Sequence, residues 1–348
     1  MSQQQLLQFV TGLVPSWRKT RRRVLAMGAL GLVRRRRLTL TGIARGMDSS
    51  CRVIHRVKRI WRFLNNTKVD PRELAGALAG QAFGLRKEGW MPVIMDETGL
   101  KDRAMLLGAA VCYGGRALPL ALYAFRRDRI AKSLWAYREG LLSVVPGALS
   151  QADRGRLLLI ADRDFGASRF FARLVKAQVN FAIRVRRKVL LHMHHGHYNL
   201  ATLAADLNCG DCVFLQDIAY GPAKAHLNLL LWWEEHQPEP WLIATTLPDA
   251  QQARHYYRLR MRIEELFKDL KETFALENCQ CQTLDRITRL MLFALVALWA
   301  LALLVRYPEH FVRFITARGR LSFITLALEW INAPPHLRRA LRQQAQTG

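Results

Sequence analysis

Short apolar runs that end at acidic residues constrain the fold of this chain more than any other feature of its sequence. MPVIM at residues 91–95 ends at Asp96, and RLLLIA at residues 156–161 ends at Asp162. Two further apolar runs, residues 105–113 and 117–125, follow the first, with a glycine-containing turn between them. Short apolar runs bounded by turn residues are typical of buried strands. Residues 91–125 are therefore predicted to form three antiparallel strands.

Helical patterns separate the later strands. Residues 130–145 and 167–178 predict helices, and residues 180–185 predict a fifth strand. The order strand, strand, strand, helix, strand, helix, strand is the layout of an RNase H-like core, whose mixed sheet carries helices on both faces. We predict an α/β fold with an RNase H-like catalytic core in which Asp96 and Asp162 end the first and fourth strands.

A different pattern follows this core. Residues 186–240 contain short strand-like pieces and polar turns, which predict a β-rich insertion. A strand at residues 241–247 and a long helix from about Asp249 to Glu272 then resume the core. The predicted domains are an all-α N-terminal DNA-binding domain at 1–88, the first part of the core at 89–185, the insertion at 186–240, the second part of the core with the catalytic helix at 241–310, and a C-terminal helical tail at 311–348.

The charge of the chain indicates a polyanionic partner. The sequence has 53 Lys and Arg against 27 Asp and Glu, a net charge of +26. Such a charge opposes compaction through self-repulsion unless a polyanion such as nucleic acid or an anionic membrane offsets it. Residues 1–70 hold sixteen Lys and Arg but only two acidic residues, Asp48 and Asp70. This asymmetry favours an N-terminal module that binds DNA.

Within that module, residues 38–47 and 49–66 predict two helices joined by a turn at residues 46–49, which fits a helix-turn-helix. The apolar residues of the second helix have helical spacing: Val53, Ile54, Val57, Ile60, Trp61 and Leu64. The basic residues predicted to contact DNA are Arg52, Arg56, Arg59 and Arg62. The alternative is a basic, solvated helix that packs on the rest of the chain.

Secretion and membrane insertion are not favoured. The N-terminal residues lack the pattern of a signal peptide, and the six scattered cysteines are typical of reduced thiols in a cytoplasm. Residues 290–305 are uncharged but shorter than the ~20 residues that a spanning helix needs. We interpret them as a buried core helix and expect no membrane partner.

One cluster leaves a zinc site open. His192, His194, His195 and His197 precede Cys209 and Cys212, and histidine and cysteine at such spacing can bind zinc. The alternative is a polar loop with two ordinary thiols.

Three acidic residues are candidates for catalysis and for metal binding: Asp96, Asp162 and Glu264. The ends of the first and fourth strands are adjacent in this layout, and a following helix that carries Glu264 packs across them. Convergent carboxylates suit Mg²⁺, with Mn²⁺ able to substitute, and two such ions can drive phosphodiester chemistry. Along the strand, Glu97 should face away from Asp96, whereas Asp164 could share a face with Asp162.

The long helix carries a further pattern. Tyr257, Arg260, Glu264 and Lys271 have the spacing i, i+3, i+7 and i+14, which places them on one helical face. The apolar stripe of the same helix is Ile263, Leu266, Phe267 and Leu270. Arg260 and Lys271 are predicted to hold phosphates beside the metal. The alternative is a surface helix with intrahelical ion pairs.

These motifs resemble those of a known family. The spacing Tyr257-x2-Arg260-x3-Glu264-x6-Lys271 resembles the signature of the IS4 family of bacterial insertion-sequence transposases. MDETGLKDR and IADRDFG resemble the regions of its first and second aspartates, and RRLTLTGIARGM and GRALPL resemble its IS10-type members. The resemblance covers residues 20–305. It implies Asp96, Asp162 and Glu264 as the catalytic triad, Mg²⁺ as cofactor, and phosphate contacts from Tyr257, Arg260, Lys271 and Arg163.

The resemblance also implies an activity. We expect metal-dependent cut-and-paste DNA transposition, in which cleavage at the element's end, a hairpin intermediate and strand transfer follow one another. The implied partners are double-stranded DNA, both terminal inverted repeats and target, and a second copy of the chain, in the bacterial cytoplasm at the nucleoid. The alternatives are a related RNase H-like nuclease without strand transfer and a non-catalytic DNA-binding protein.

The chain departs from the family pattern at one informative position. Met261 stands where family members often have Trp, directly after the signature Arg. Trp232, Trp233 and Trp241 could stack on an unpaired base instead. The alternative for most of these tryptophans is burial in the core.

Overall fold

The computed structural model describes residues 2–85, 88–113, 115–129, 134–193, 196–305 and 323–332. Its N-terminal part is helical, as predicted, because the apolar residues there recur at helical spacing rather than alternating. The helices are α1 (Gln3–Leu13), α2 (Lys19–Arg35), α3 (Leu40–Gly46), α4 (Val53–Leu64) and α5 (Pro71–Leu85).

Strands and helices then alternate, as the apolar runs predicted. The elements up to the fifth strand are β1 (Met91–Leu100), β2 (Ala104–Tyr113), β3 (Arg116–Phe125), α6 (Leu134–Gly147), α7 (Gln151–Arg156), β4 (Leu157–Ala161), α8 (Ser168–Lys176) and β5 (Asn180–Arg184). The elements after it are β6 (Leu190–Met193), β7 (Gly196–Asn199), α9 (Leu200–Ala205), β8 (Cys212–Tyr220), β9 (Ala225–Trp232), β10 (Trp241–Thr245), α10 (Ala250–Tyr257), α11 (Met261–Lys268), α12 (Leu284–Val305) and α13 (Phe323–Asn332).

All ten strands form one mixed sheet in the order β3-β2-β1-β4-β5-β10-β9-β8-β6-β7. β1, β2 and β3 pair antiparallel, whereas β4 pairs in parallel with both β1 and β5. This arrangement confirms the predicted meander followed by helix-connected parallel strands. The predicted β-rich insertion is not set apart from this sheet, because β10 pairs with β5 on one side and with β9 on the other. The strands of residues 186–240 therefore extend the sheet of the core.

α4 buries only part of its predicted apolar face. Its buried side chains are Ile60, Phe63 and Leu64, whereas Ile54 and Trp61 are 55% and 50% exposed. The helix packs against the rest of the protein mainly through its C-terminal half. Positions 54 and 61, which share one side of the helix, face solvent. The predicted apolar face is therefore wrong for these two residues.

The apolar segment before residue 306 forms a core helix, as expected. α12 has 22 residues, more than the uncharged run on which the length argument rested. It is the one helix of the described ranges long and apolar enough to cross a membrane, and 83% of its most apolar window is buried. The buried Arg289 donates to the backbone oxygens of Leu64 and Val69, both at 3.2 Å. α12 thereby joins the N-terminal helices to the sheet.

The predicted C-terminal helical tail is described only in part. α13 covers ten residues of it and packs against α12. The rest of residues 311–348 lies outside the described residues, as do Gly114 in the turn after β2 and residues 130–133 at the start of the predicted helix before β4.

Candidate active site

Asp96 and Asp162 lie side by side at one edge of the sheet. β1 and β4 pair in parallel up to the residues immediately before the two aspartates, and Asp162 directly follows β4, as predicted. The prediction that Asp96 ends its strand is wrong, because β1 continues to Leu100. β2 still pairs with β1 beyond this point, with Gly108 opposite Asp96. Asp96 is thus the position at which β1 separates from β4.

Gly108 allows the helix that carries Glu264 to approach the sheet closely. A Cβ atom at Gly108 would lie 3.1 Å from the ring of Phe267, so a larger residue there would require this ring to shift. The predicted apolar stripe is confirmed, since all its members are buried: Ile263, Leu266, Phe267 and Leu270. Packing of this stripe places α11 over β1 and β3, and the Glu264 side chain remains 47% exposed.

The predicted long helix is interrupted twice, directly before and directly after α11. α10 ends at Tyr257, a 3₁₀ turn occupies Arg258–Arg260, and a π-helical turn at Asp269–Thr273 follows α11. Both turns change the rotation per residue, so the α-helical spacing used in the prediction does not hold throughout. Lys271 is half-buried in the π-helical turn. In the described ranges it makes no ion pair with any of the three acids.

Arg260 connects two of the three acids. Its Nη1 donates to Asp96 Oδ2 at 3.1 Å, and its Nη2 donates to Glu264 Oε1 at 2.7 Å. The Arg260 side chain is 19% exposed and that of Asp96 13%. Burial acts to lower the pKa of Arg260, but Tyr257, Asp96 and Glu264 together raise it above its ordinary value. One half-buried guanidinium therefore lies between the two carboxylates and offsets part of their negative charge.

Burial and mutual repulsion shift both aspartates. The pKa of Asp96 is raised from 3.8 to about 6, chiefly by burial and also by the charges of Asp162 and Glu264, against the lowering effects of the Glu97 backbone amide and of Arg260. Burial also raises the pKa of Asp162, to which the neighbouring Asp164 adds. Asp162 Oδ1 accepts a hydrogen bond from the Asp164 backbone amide at 3.0 Å. Both carboxylates are held at the edge of the sheet at an electrostatic cost.

Tyr257 is packed inside the site rather than displayed on its surface. It is 2% exposed and lies edge-to-face with Trp241, which contacts Trp232 in the same way. Burial raises its pKa to about 12, so the phenol stays protonated. Trp232 is only 3% exposed, which favours the core interpretation for this residue over base stacking. Met261, in contrast, is 48% exposed beside Arg260.

A buried ion pair supports this edge from the other face of β1. Glu97 points away from Asp96, as predicted, and accepts from Arg138 Nε at 2.9 Å and Nη2 at 2.7 Å. The two side chains are 6% and 3% exposed. Arg138 also donates to the Asp164 backbone oxygen at 2.5 Å and lies over the Phe165 ring. The role of Arg138 was not predicted from the sequence, because no local pattern connects positions 97 and 138.

The other predicted DNA contacts have different surroundings. Arg52, directly before α4, and Arg59 and Arg62 on it are exposed, whereas Arg56 is half-buried and donates to the Met47 backbone oxygen at 2.6 Å. Arg163 lies next to Asp162, and its Nη1 is 3.3 Å from Glu239 Oε1.

The residues of the suggested zinc site do not form one in the described part of the chain. Cys209 and Cys212 are exposed, and His192 stacks edge-to-face on His197. His194 and His195 lie outside the described residues. Among the residues described, no three His, Cys, Asp or Glu side chains are arranged to hold a metal ion. This finding includes the three acids, since Glu264 is directed to Arg260.

Replacing Asp96 with Asn is expected to stabilise the protein at neutral pH. The pKa of Asp96 is higher in the folded protein than its ordinary 3.8. The folded state is therefore penalised as the pH rises through about 6, and the penalty vanishes below pH 3.8. We expect Asp96→Asn to raise the free energy of unfolding at pH 8 by about 2–3 kcal/mol, less what the weakened Arg260 pair offsets. Urea unfolding at pH 8 and pH 4 measures the difference.

Asp206→Asn is the matched control, because Asp206 is exposed at the end of α9. An equal stabilisation by both variants, or a gain from Asp96→Asn that grows as the pH falls, would contradict the prediction.

Part of the chain is similar to known proteins. Residues 144–300 match the family model described as the transposase DDE domain. No curated protein matches the chain significantly. One similar solved structure is a piggyBac transposase synaptic complex with hairpin DNA, at 11% identity and a TM-score of 0.48, with 95% of this chain and 76% of that chain covered. The match over residues 144–300, which contain Asp162 and Glu264, supports a DDE transposase.

Proposed function

We propose that this chain is a DNA transposase of the IS4 type that cuts and joins DNA at Asp96, Asp162 and Glu264 on an RNase H-like core. The observation that carries the proposal is the meeting of Asp96 and Asp162 on adjacent parallel strands, beneath the helix of Arg260 and Glu264. The strand order 3-2-1-4-5 of the first five strands supports the RNase H-like assignment. The match of residues 144–300 to the transposase domain supports the activity.

The chemistry of the donor set suits a divalent cation, which would require Glu264 to turn away from Arg260. Three carboxylates offer the hard oxygen ligands that Mg²⁺ prefers, and burial together with the neighbouring carboxylates raises the pKa of Asp96. We propose Asp96, Asp162 and Glu264 as the ligands, with Mg²⁺ or Mn²⁺ and two ions in total. When bound, the metal activates an attacking hydroxyl and stabilises the leaving oxygen of the phosphodiester.

The residues of the chain then have separate roles. The sheet edge fixes Asp96 and Asp162, and α11 brings Glu264 to the same point. Arg260 offsets part of the charge of Asp96 and Glu264 in the absence of metal, and its guanidinium can turn to a phosphate oxygen when Glu264 takes part in metal binding. The buried Tyr257, with a pKa of about 12, remains a hydrogen-bond donor at any physiological pH. Lys271 and Arg163 supply further positive charge for the DNA backbone.

We also propose partners and a sequence of steps. The net charge of +26 supports double-stranded DNA as the partner. Terminal inverted repeats and target DNA are the substrates, a homodimer pairs the two ends, and a hairpin forms between end cleavage and strand transfer. The reaction takes place in the bacterial cytoplasm without a membrane partner.

A cleavage and joining assay tests this function. Labelled duplexes with the element's own ends are incubated with wild-type protein and a target plasmid in Mg²⁺, in Ca²⁺ or in EDTA. We expect cut ends, hairpins on denaturing gels and labelled plasmid in Mg²⁺ alone. Cutting without labelled plasmid would favour the nuclease, and binding without cutting in Mg²⁺ would favour the non-catalytic DNA-binding protein.

A further inference from the structure

A cluster of arginines lies beside Asp162 and is not explained by the metal site. Arg163 follows Asp162, and Arg184, Arg186 and Arg187 follow from the neighbouring end of β5. They line a cleft of about 510 Å³ together with Asp162, Asp164 and Glu239. Because β4 and β5 pair in parallel, the arginines at and after their carboxyl ends lie at the same edge of the sheet.

Three of the arginines share a single carboxylate. Glu239 Oε1 lies 2.8 Å from Arg184 Nη2 and 3.3 Å from Arg163 Nη1, and Glu239 Oε2 lies 3.5 Å from Arg187 Nη2. Arg186 instead pairs with Asp164 at 2.8 Å. Three guanidiniums around one carboxylate retain an excess of positive charge. A phosphodiester carries the same single negative charge as Glu239, and guanidinium forks match its oxygens well.

The cluster is held in place from two sides. Arg184 is 21% exposed and lies over the Trp241 ring, so its position depends only in part on Glu239. Glu239 stands between Pro238 and Pro240, in a loop that is fixed by a hydrogen bond from Trp233 Nε1 to the Gln237 backbone oxygen. The carboxylate is 38% exposed and therefore accessible to a competing anion.

We propose that Arg163, Arg184 and Arg187 form a binding site for one backbone phosphate of the DNA strand that enters the active site, and that Glu239 occupies this site until DNA displaces it. The proposal deepens the proposed function, on which it rests for the identity of the strand. Glu239 acts as a competitor of the phosphate, which weakens binding of DNA that makes few other contacts.

Binding of a fluorescent duplex, measured by anisotropy across a salt series without divalent metal, tests the site. We expect Glu239→Gln to tighten binding about threefold or more at low salt. Arg187→Gln should weaken it several-fold and reduce the salt slope by about 0.9. In the Glu239→Gln background, Arg187→Gln should cost more, because Arg187 then has only the phosphate as its anion.

Matched controls separate this site from a general charge effect. Glu235→Gln makes the same charge change at an exposed position of the same loop. Lys176→Gln removes a positive charge at the end of α8 next to the start of β5, at the opposite edge of the sheet. Equal effects of Glu239→Gln and Glu235→Gln, or of Arg187→Gln and Lys176→Gln, would overturn the proposal.

Cleavage in Mg²⁺, measured on the same variants, distinguishes this proposal from the function on which it rests. If the wild type cuts and joins DNA while the variants bind like their controls, the proposed phosphate site is wrong but the proposed function stands. If the variants show the expected binding pattern but the wild type does not cut, the phosphate site stands and the proposed transposase function is wrong. No DNA binding by the wild type would overturn both.

Discussion

Substitution of Asp162 with Asn is expected to reduce metal-dependent DNA cleavage by roughly 10³-fold or more. The loss of a charged metal ligand removes several kcal/mol of transition-state stabilisation, and each 1.4 kcal/mol corresponds to about a factor of ten in rate. An amide oxygen can still accept the hydrogen bond from the Asp164 backbone amide that caps the turn after β4. The fold and DNA binding should therefore persist.

Glu264 provides the sharpest version of this test, because a second glutamate follows it on α11. Glu264 pairs with Arg260, whereas Glu265 is 51% exposed and pairs with Arg116. We expect Glu264→Gln to lose cleavage as severely as Asp162→Asn, and Glu265→Gln to cut at nearly the wild-type rate. Single-turnover cleavage in Mg²⁺, with anisotropy as the binding control, measures both. Substantial cleavage by Glu264→Gln would show that the third acid is placed wrongly.

Substitution of Arg138 with Met is expected to destabilise the fold by about 3–5 kcal/mol. Removing one partner of a buried ion pair is strongly destabilising, and both Arg138 and Glu97 are almost fully buried. Among the described residues, Glu97 would keep only Arg127 as an ion-pair partner, and the Arg127 side chain is 56% exposed. The change also removes the hydrogen bond to the backbone of Asp164. Urea unfolding at neutral pH measures the difference.

Two comparisons identify the cause of that loss. The double variant Glu97→Gln/Arg138→Met should recover much of the stability, because it removes the buried charge of Glu97 together with that of Arg138. Arg126→Met should change the free energy of unfolding very little, because the pair of Arg126 with Asp128 lies in solvent. A double variant no more stable than Arg138→Met would indicate that packing, rather than charge, accounts for the effect.

The main features of the site follow from short-range sequence patterns. Apolar runs predicted the strands of the core, and the parallel pairing of β1 with β4 then requires Asp96 and Asp162 to be neighbours. The same reasoning ended β1 too early, because it treated the polar residues after Met95 as a strand end. These residues remain in the ladder because β2 pairs with them as far as Leu100.

Long-range contacts could not be predicted in this way. Glu97 and Arg138 are 41 positions apart, and Arg163 and Glu239 are 76 positions apart. No periodicity connects such pairs, and only the folded sheet brings them together. The interruptions of the helix around Arg260 were not predicted for a different reason. Side-chain spacing predicts a helical segment but is insensitive to a single 3₁₀ or π-helical turn.

The continuity of the sheet has a mechanical consequence. β8 and β9 are connected to Asp162 through the hydrogen-bonded ladders of β10, β5 and β4, without a flexible linker between them. A force on the β8–β9 hairpin would therefore reach Asp162 as a tilt or twist of the whole sheet. The irregularity between Leu215 and Ile218 in the pairing of β8 with β9 is the place where this hairpin can bend relative to the rest of the sheet. A displacement of the far strands would thus reorient Asp162 and the neighbouring strands β4 and β5 together.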